Sequence, residues 1–207
     1  MGIIGVIAAI SIPNLINTIN KKLLTVKLKN HIASIQQLIN DQMVMNKTRN
    51  LTETDFASPD KLFTSSNFAI SQTCNTTASC WSEKYRRLQD LGSIDTPGQS
   101  GYMTNVKTIV LKDGTILSVM LASKPILPDG DYAFLEFWVD VNGKAGPNIG
   151  GRDYFIYFVT NKGRIMDELQ STGNIYNEAQ WLQQCKSGER RSPCVTLLQN
   201  NGWKMTY

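Results

Sequence analysis

The stretch from Met1 to about Met45 leaves few folds open. Met1 to Ile12 reads MGIIGVIAAISI, without a charge and with Ser11 as its only polar side chain. Pro13 and Asn14 interrupt it, and Lys21, Lys22, Lys27 and Lys29 then appear among the apolar positions. Leu24, Leu28, Ile32, Ile35, Ile39 and Met43 recur at intervals of 4, 4, 3, 4 and 4, which lines them up on one face of an α-helix. Ile16, Ile19 and Leu23 extend the stripe backward with a small change of phase, while Lys27, Asn30, Gln37 and Asp41 fill other faces. Pro13 lacks a backbone donor and crowds the preceding turn, so a kink or local melting is expected there. An apolar rod that turns amphipathic reads as an anchor or assembly shaft over 1–45, carrying a globular head over 46–207.

The apolar opening is short for a membrane span. As a helix, Met1 to Ile16 rises about 24 Å, whereas a bilayer core of about 30 Å takes roughly 20 residues. A signal-peptide core lacks its basic n-region and a small-x-small cleavage site here. The Met-Gly start suits myristoylation, but Val6 stands where Ser or Thr is wanted. A buried core helix is the plain alternative.

The rest of the 207 residues suffices for a modest core. A formal charge of +4 is too weak to argue for nucleic acid by itself. Ordinary proline, glycine and charge content speaks against wholesale disorder. The cysteines fall as two close pairs, Cys74 with Cys80 and Cys185 with Cys194. Connectivity is open from sequence; local pairing is preferred because each pair lies in a short, turn-rich segment. Zinc is the competing reading, without CxxC spacing and with His31 far off in the helical pattern. Disulfides imply an oxidising, exported compartment.

Residues 46–100 are mostly polar, with turn signals at Ser58-Pro59-Asp60 and Thr96-Pro97-Gly98, and read as an irregular loop held by Cys74 and Cys80. Ser82 to Leu91 is a candidate short helix. Asn46, Asn50 and Asn75 head sequons short enough to arise by chance. From Val106 the period changes. Val106–Leu111 and Thr115–Leu121 flank Lys112-Asp113-Gly114, a hairpin signal. Tyr132–Val141 and Tyr154–Thr160 are rich in aromatic and β-branched residues, and Asn161-Lys162-Gly163 turns into a short return through Arg164 to Met166. The expected class is α+β: a long N-terminal helix packed on three or four antiparallel strands. A short helix over Glu178–Gln184, a loop closed between Cys185 and Cys194, and a helical turn or strand over Val195–Tyr207 complete it.

Asp140, Asn142, Asn148 and Asp153 offer side-chain oxygens among several glycines, a composition suited to calcium. The plain alternative is that they shape turns through side-chain-to-backbone bonds. Lys84, Arg86 and Arg87 with Tyr85 form a basic-aromatic cluster, and Lys186, Arg190 and Arg191 form another. Cations with stacking rings hold DNA in a salt-dependent way, against a plain reading as solvated surface charge or subunit contacts. Catalysis has little to build on. His31, the one histidine, belongs to the amphipathic pattern and is expected at its solvent edge, and Gly146–Gly151 lacks the Lys-Ser/Thr of a phosphate loop.

The run Gly5-Val6-Ile7-Ala8-Ala9-Ile10-Ser11-Ile12-Pro13-Asn14 resembles the N-terminal helix of type IV pilins and type II secretion pseudopilins. Asp140-Val141-Asn142-Gly143, followed by Gly146-Pro147-Asn148, Gly151 and Asp153, is similar to a segment of many bacterial pilin-like proteins. The resemblance implies a noncatalytic subunit, made as a single-pass prepilin in the bacterial inner membrane with its head outside the cytoplasm. A prepilin peptidase would cleave and N-methylate it, and the assembly machinery would draw it into a pilus or periplasmic pseudopilus with other such subunits. Gly5, Ala8 and Ala9 would let neighbouring helices approach closely, and Pro13 would mark where the helix melts on assembly. Some pseudopilins bind calcium in a loop of the sheet domain, and minor pilins of uptake systems bind DNA. The family pattern also has an upstream basic leader, a cleavage-site glycine, an aromatic residue and a glutamate. None precedes Met1, so the chain is expected to start within the helix, about nine residues short of a membrane-length span.

Overall fold

A computed structural model of the chain describes residues 2–99, 103, 106–122, 127, 129–167, 176–187 and 193–207. Its first element, α1 (Gly2–Met45), runs unbroken through Pro13, so the expected melted turn is absent. Proline removes one helical hydrogen bond, and the continuous turns on either side keep the helix going. Leu24, Leu28, Ile32, Ile35 and Ile39 are all buried, and Met43 packs against the same core. Ile16, Ile19 and Leu23 instead remain in solvent.

Strands β1 (Ile70–Thr73), β4 (Lys107–Leu111), β5 (Ile116–Leu121), β6 (Ala133–Asp140), β7 (Tyr154–Thr160) and β8 (Ile165–Met166) form a six-stranded sheet in that order, antiparallel throughout. The sheet is larger than the expected three or four strands because β1 comes from the segment read as loop. Every residue of β6 and β7 is buried. Such continuous burial arises when both faces of a sheet are covered. On one face Leu117, Phe137, Val139, Phe155 and Tyr157 share a core with the α1 stripe, with Phe56, Leu62 and Phe63, and with Leu197 and Leu198. On the other, Trp138, Tyr154, Ile156 and Phe158 lie against Trp81 and Tyr85.

Segment 46–99 is more ordered than its composition suggests. It holds α2 (Pro59–Leu62), α3 (Thr77–Cys80) and a small pair of strands, β2 (Tyr85–Arg86) with β3 (Ser93–Ile94). Ser82 to Leu91 is therefore not a helix. The amide of Arg86 donates to the Asn148 carbonyl at 2.9 Å, and Gly150 N–H donates back to Arg86 O at 3.0 Å, so a distant loop extends this segment. The chain ends with α4 (Glu178–Ser187) and α5 (Cys194–Asn200). Both disulfides are local, Cys74–Cys80 and Cys185–Cys194, and the second joins the end of α4 to the start of α5. Among the described residues no helix is long and apolar enough to cross a membrane.

His31 corrects the expectation of a solvent edge: it is buried between α1 and the sheet, with Nε2 at 2.9 Å from the Tyr157 hydroxyl. Burial lowers its pKa from 6.5 to about 4, opposed in part by the charge of Asp113. The folded state thus keeps His31 neutral where the unfolded chain binds a proton. The stability it contributes is complete above pH 6.5 and is lost as pH falls toward 4. Urea unfolding of the parent and a His31→Gln variant should therefore diverge over that window, the parent losing about 3 kcal/mol more. Comparing the two cancels the opposing contribution of Asp140, whose raised pKa favours the folded state as pH falls. Parallel pH profiles would refute the assignment.

Candidate functional site

The exposed half of α1 is the first candidate. Leu15, Ile16, Ile19, Leu23 and Val26 are 60%, 52%, 47%, 58% and 45% exposed. Ile16, Ile19, Leu23 and Val26 follow 3, 4, 3 spacing, a second helical stripe beside the one that enters the head. Pro13 is also exposed, and α1 carries Gly5, Ala8 and Ala9 ahead of it. One helix therefore serves two surfaces. Its buried stripe belongs to the head, and its exposed stripe faces outward with nothing from the described residues upon it.

A collar of polar contacts fixes the helix where it leaves the head. Lys27 Nζ donates to the carbonyls of Asp113 and Val141, each at 3.2 Å. Lys21 Nζ donates to the carbonyl of Tyr207, and Arg152 Nη2 to Asn17 Oδ1. The collar thus draws on the β4–β5 turn, the loop after β6, and the last residue of the sequence. Lysine stems suit this place, since they cover apolar surface while the ammonium reaches outward.

The 141–153 loop is held by the very residues singled out as calcium ligands. Asp140 and Asp153 are fully buried. Asp140 Oδ2 accepts from the Tyr85 hydroxyl at 2.6 Å, and Oδ1 from Asn142 N–H at 3.1 Å. Asp153 accepts from the backbone N–H groups of Asn148 at 2.7 Å and Ile149 at 2.6 Å. Asn142 Nδ2 donates to Ala145 O and Gly146 O, and Asn148 Nδ2 to Ser82 Oγ. Side-chain-to-backbone bonds of this kind are what the turn-shaping reading requires. Burial pushes the Asp140 carboxyl up to about 8, with the charge of Asp153 adding to it and the Tyr85 bond opposing. Burial also raises Asp153, against the pull of the two N–H donors. The donor set is all oxygen, and Asn142 Oδ1 and Asn148 Oδ1 are buried without a partner, which fits a hard cation. Among the described residues no group of three or more His, Cys, Asp or Glu is placed to hold a metal.

The basic clusters are partly reassigned. Tyr85 is buried and hydrogen-bonded to Asp140, so it offers no ring for stacking. Arg87 is paired with Asp90 through two contacts at 3.0 and 3.1 Å. Lys84 and Arg86 stay exposed. Gln89 N–H donates to the Lys186 carbonyl at 3.0 Å, which brings the two clusters to one place. Arg190 and Arg191 lie outside the described residues.

Residues to which the sequence assigned no contact complete the site. Gly151 packs directly on the Cys185–Cys194 disulfide, and its carbonyl accepts from the Tyr207 hydroxyl at 3.0 Å. Lys21 and Asn17 were legible only as polar positions on a helix. The one available signal was the doubled glycine at Gly150-Gly151, which marks a close backbone approach. No family model, curated protein or solved structure matches the chain.

Proposed function

We propose that the chain is a structural subunit of a type IV pilus or type II secretion pseudopilus, assembling through its N-terminal helix. The observation that carries this is the exposed stripe of Ile16, Ile19, Leu23 and Val26 on a helix whose continuation is built into the head. Apolar surface gains about 25 cal/mol per Å² on leaving water, so copies of such a stripe drive helix-to-helix packing. Before assembly the subunit rests in the bacterial inner membrane, with its head outside the cytoplasm and its helix sheltered by lipid. It is processed there by a prepilin peptidase. Two disulfides accord with that exported compartment. The enzyme reading stays unfavoured, because His31 is buried against the Tyr157 hydroxyl and does not face a cleft.

The second reading is a membrane-anchored, minor-pilin-like protein that binds DNA or a surface ligand, supported by the meeting of the Lys84–Arg86 and Lys186 segments. Glutamate at Ile16 and Ile19 separates the two. A filament subunit loses its filaments, whereas a binding head retains DNA with an affinity that falls steeply between low and moderate salt. Retained filaments together with retained, salt-sensitive DNA binding would reverse the ranking.

Calcium is the cofactor proposed for the 141–153 loop, held by Asp140, Asn142, Asn148 and Asp153. Bound there, it would supply charge to offset two buried carboxylates. At about a hundredfold excess over its Kd, calcium should raise Tm by roughly 5–10 °C relative to chelator-treated protein. Identical melting curves would remove calcium from the reading and leave the loop as a hydrogen-bonded turn.

A further inference from the structure

A groove of about 590 Å³ opens beside β2, between the Ser82–Leu91 segment and the 146–149 turn. It needs no residue of α1, and of the proposed calcium donors only Asn148 reaches its edge, with Nδ2 on Ser82 Oγ. Lys84 and Arg86 flank the buried Tyr85, the first just before β2 and the second at its end, and both side chains are exposed. Both line the groove. The ion pairs of the described residues all involve other side chains, so these two cations are unneutralised. Glu83 and Ser82 add a carboxylate and a hydroxyl, and Leu91 and Pro147 add an apolar wall. Leu91 is 53% exposed, a costly place for a large apolar side chain that covers nothing.

We propose that this groove binds an acidic oligosaccharide of the uronic-acid class. The lining matches that chemistry group by group. A sugar carboxylate pairs with Arg86 in the planar two-bond geometry that guanidinium favours, with Lys84 as a second cation. Ring hydroxyls donate to Glu83 and exchange hydrogen bonds with Ser82, whose Oγ already accepts from Asn148 Nδ2 at 3.0 Å. The C–H face of the ring lies on Leu91 and Pro147. A phosphodiester strand fits less well, because Glu83 opposes its continuous charge and the buried Tyr85 denies its bases a platform. The volume falls within the usual range for ligand clefts.

Titration calorimetry on the full chain tests this with a galacturonic-acid tetrasaccharide, using maltotetraose as the neutral counterpart. A thymidine tetranucleotide and tetraglutamate provide the competing arms. The uronate is expected to bind at least about tenfold more tightly than each of the other three probes. Arg86→Gln and Leu91→Asp should each weaken it by about tenfold or more with Tm unchanged, since both side chains are exposed. Lys84→Gln stands in if either variant misfolds. The proposal is overturned by an absence of heat at millimolar uronate or by equal affinity for maltotetraose. Unchanged affinity in the variants, or tighter binding of the nucleotide or peptide, would overturn it equally.

Discussion

Replacing Ile16 and Ile19 together with glutamate is expected to abolish filaments while leaving the head folded. Both side chains are about half exposed in the isolated chain, so the head loses no packing when they change. In a filament each would be buried, and full burial of an isoleucine contributes about 1.5–3 kcal/mol. Each is already about half covered, so losing the two remaining halves raises the concentration needed for assembly roughly 10- to 100-fold. Two unpaired carboxylates placed in the same interface add a desolvation cost on top. Filament yield sheared from cells reads the effect, and the melting temperature of the purified chain reads the head. Val44→Glu is the matched control, since Val44 is even more exposed, at 76%, but lies at the other end of α1. A double variant that still yields filaments at the parent level would remove the exposed stripe from the proposal.

The second large effect is expected at Gly151. A Cβ there would meet Cys194 Sγ at 2.5 Å and Cys185 Sγ at 3.0 Å, and its φ of +81° is one that L side chains adopt at a cost. Left-handed backbone costs about 1–2 kcal/mol, and forcing an extra carbon into packed surroundings about 1–3. The disulfide cannot swing aside, because it joins α4 to α5. Gly151→Ala should therefore lower Tm by roughly 10 °C. A thermodynamic cycle with a Cys185→Ala, Cys194→Ala background isolates the steric part, since those substitutions remove the sulfur atoms. In that background Gly151→Ala should cost only the backbone contribution. An equal cost in both backgrounds would show that sulfur crowding is not the cause.

The period of the apolar residues made some of this molecule legible and left the rest hidden. The 4-4-3-4 spacing from Leu24 to Ile39 marked the buried face correctly, because a helix packed on a sheet imposes that period on its own residues. The same held for β6 and β7, whose aromatic and β-branched runs are long enough to read locally. Segment 82–91 was not legible. Trp81 and Tyr85 are four apart, as on a helix, yet both are buried in an aromatic cluster with ring centroids 5.8 Å apart. Their backbone is extended because Arg86 pairs with Asn148 and Gly150, more than a window away in sequence. His31 failed for a similar reason: its partner, the Tyr157 hydroxyl, lies across the helix–sheet contact.

The acidic loop was found by composition, and its internal geometry was not. Asp140 and Asp153 stood out as oxygen donors, but the sequence carries no mark that Tyr85 would reach one and two backbone amides the other. Such bonds depend on where the loop folds back. Disulfide pairing was legible because proximity in sequence already favours it. The groove was invisible, since its walls come from two segments about sixty residues apart that meet through β2 and the Asn148–Ser82 contact.

The collar and the buried stripe also bear on how the proposed subunit would carry load. A pull along the axis of α1 would reach the head as shear, spread over the contacts from Leu24 to Ile39, about 22 Å of helix. Shear strains these contacts together, whereas peeling would open them one at a time. Lys21, Lys27 and the Asn17–Arg152 contact stand at the leading edge, tying the helix to three separate parts of the head. Tension entering through the helix is thereby shared by the sheet, the loop after β6 and the end of the chain. In the filament proposed above, the axis of α1 is the one along which the helix would be pulled.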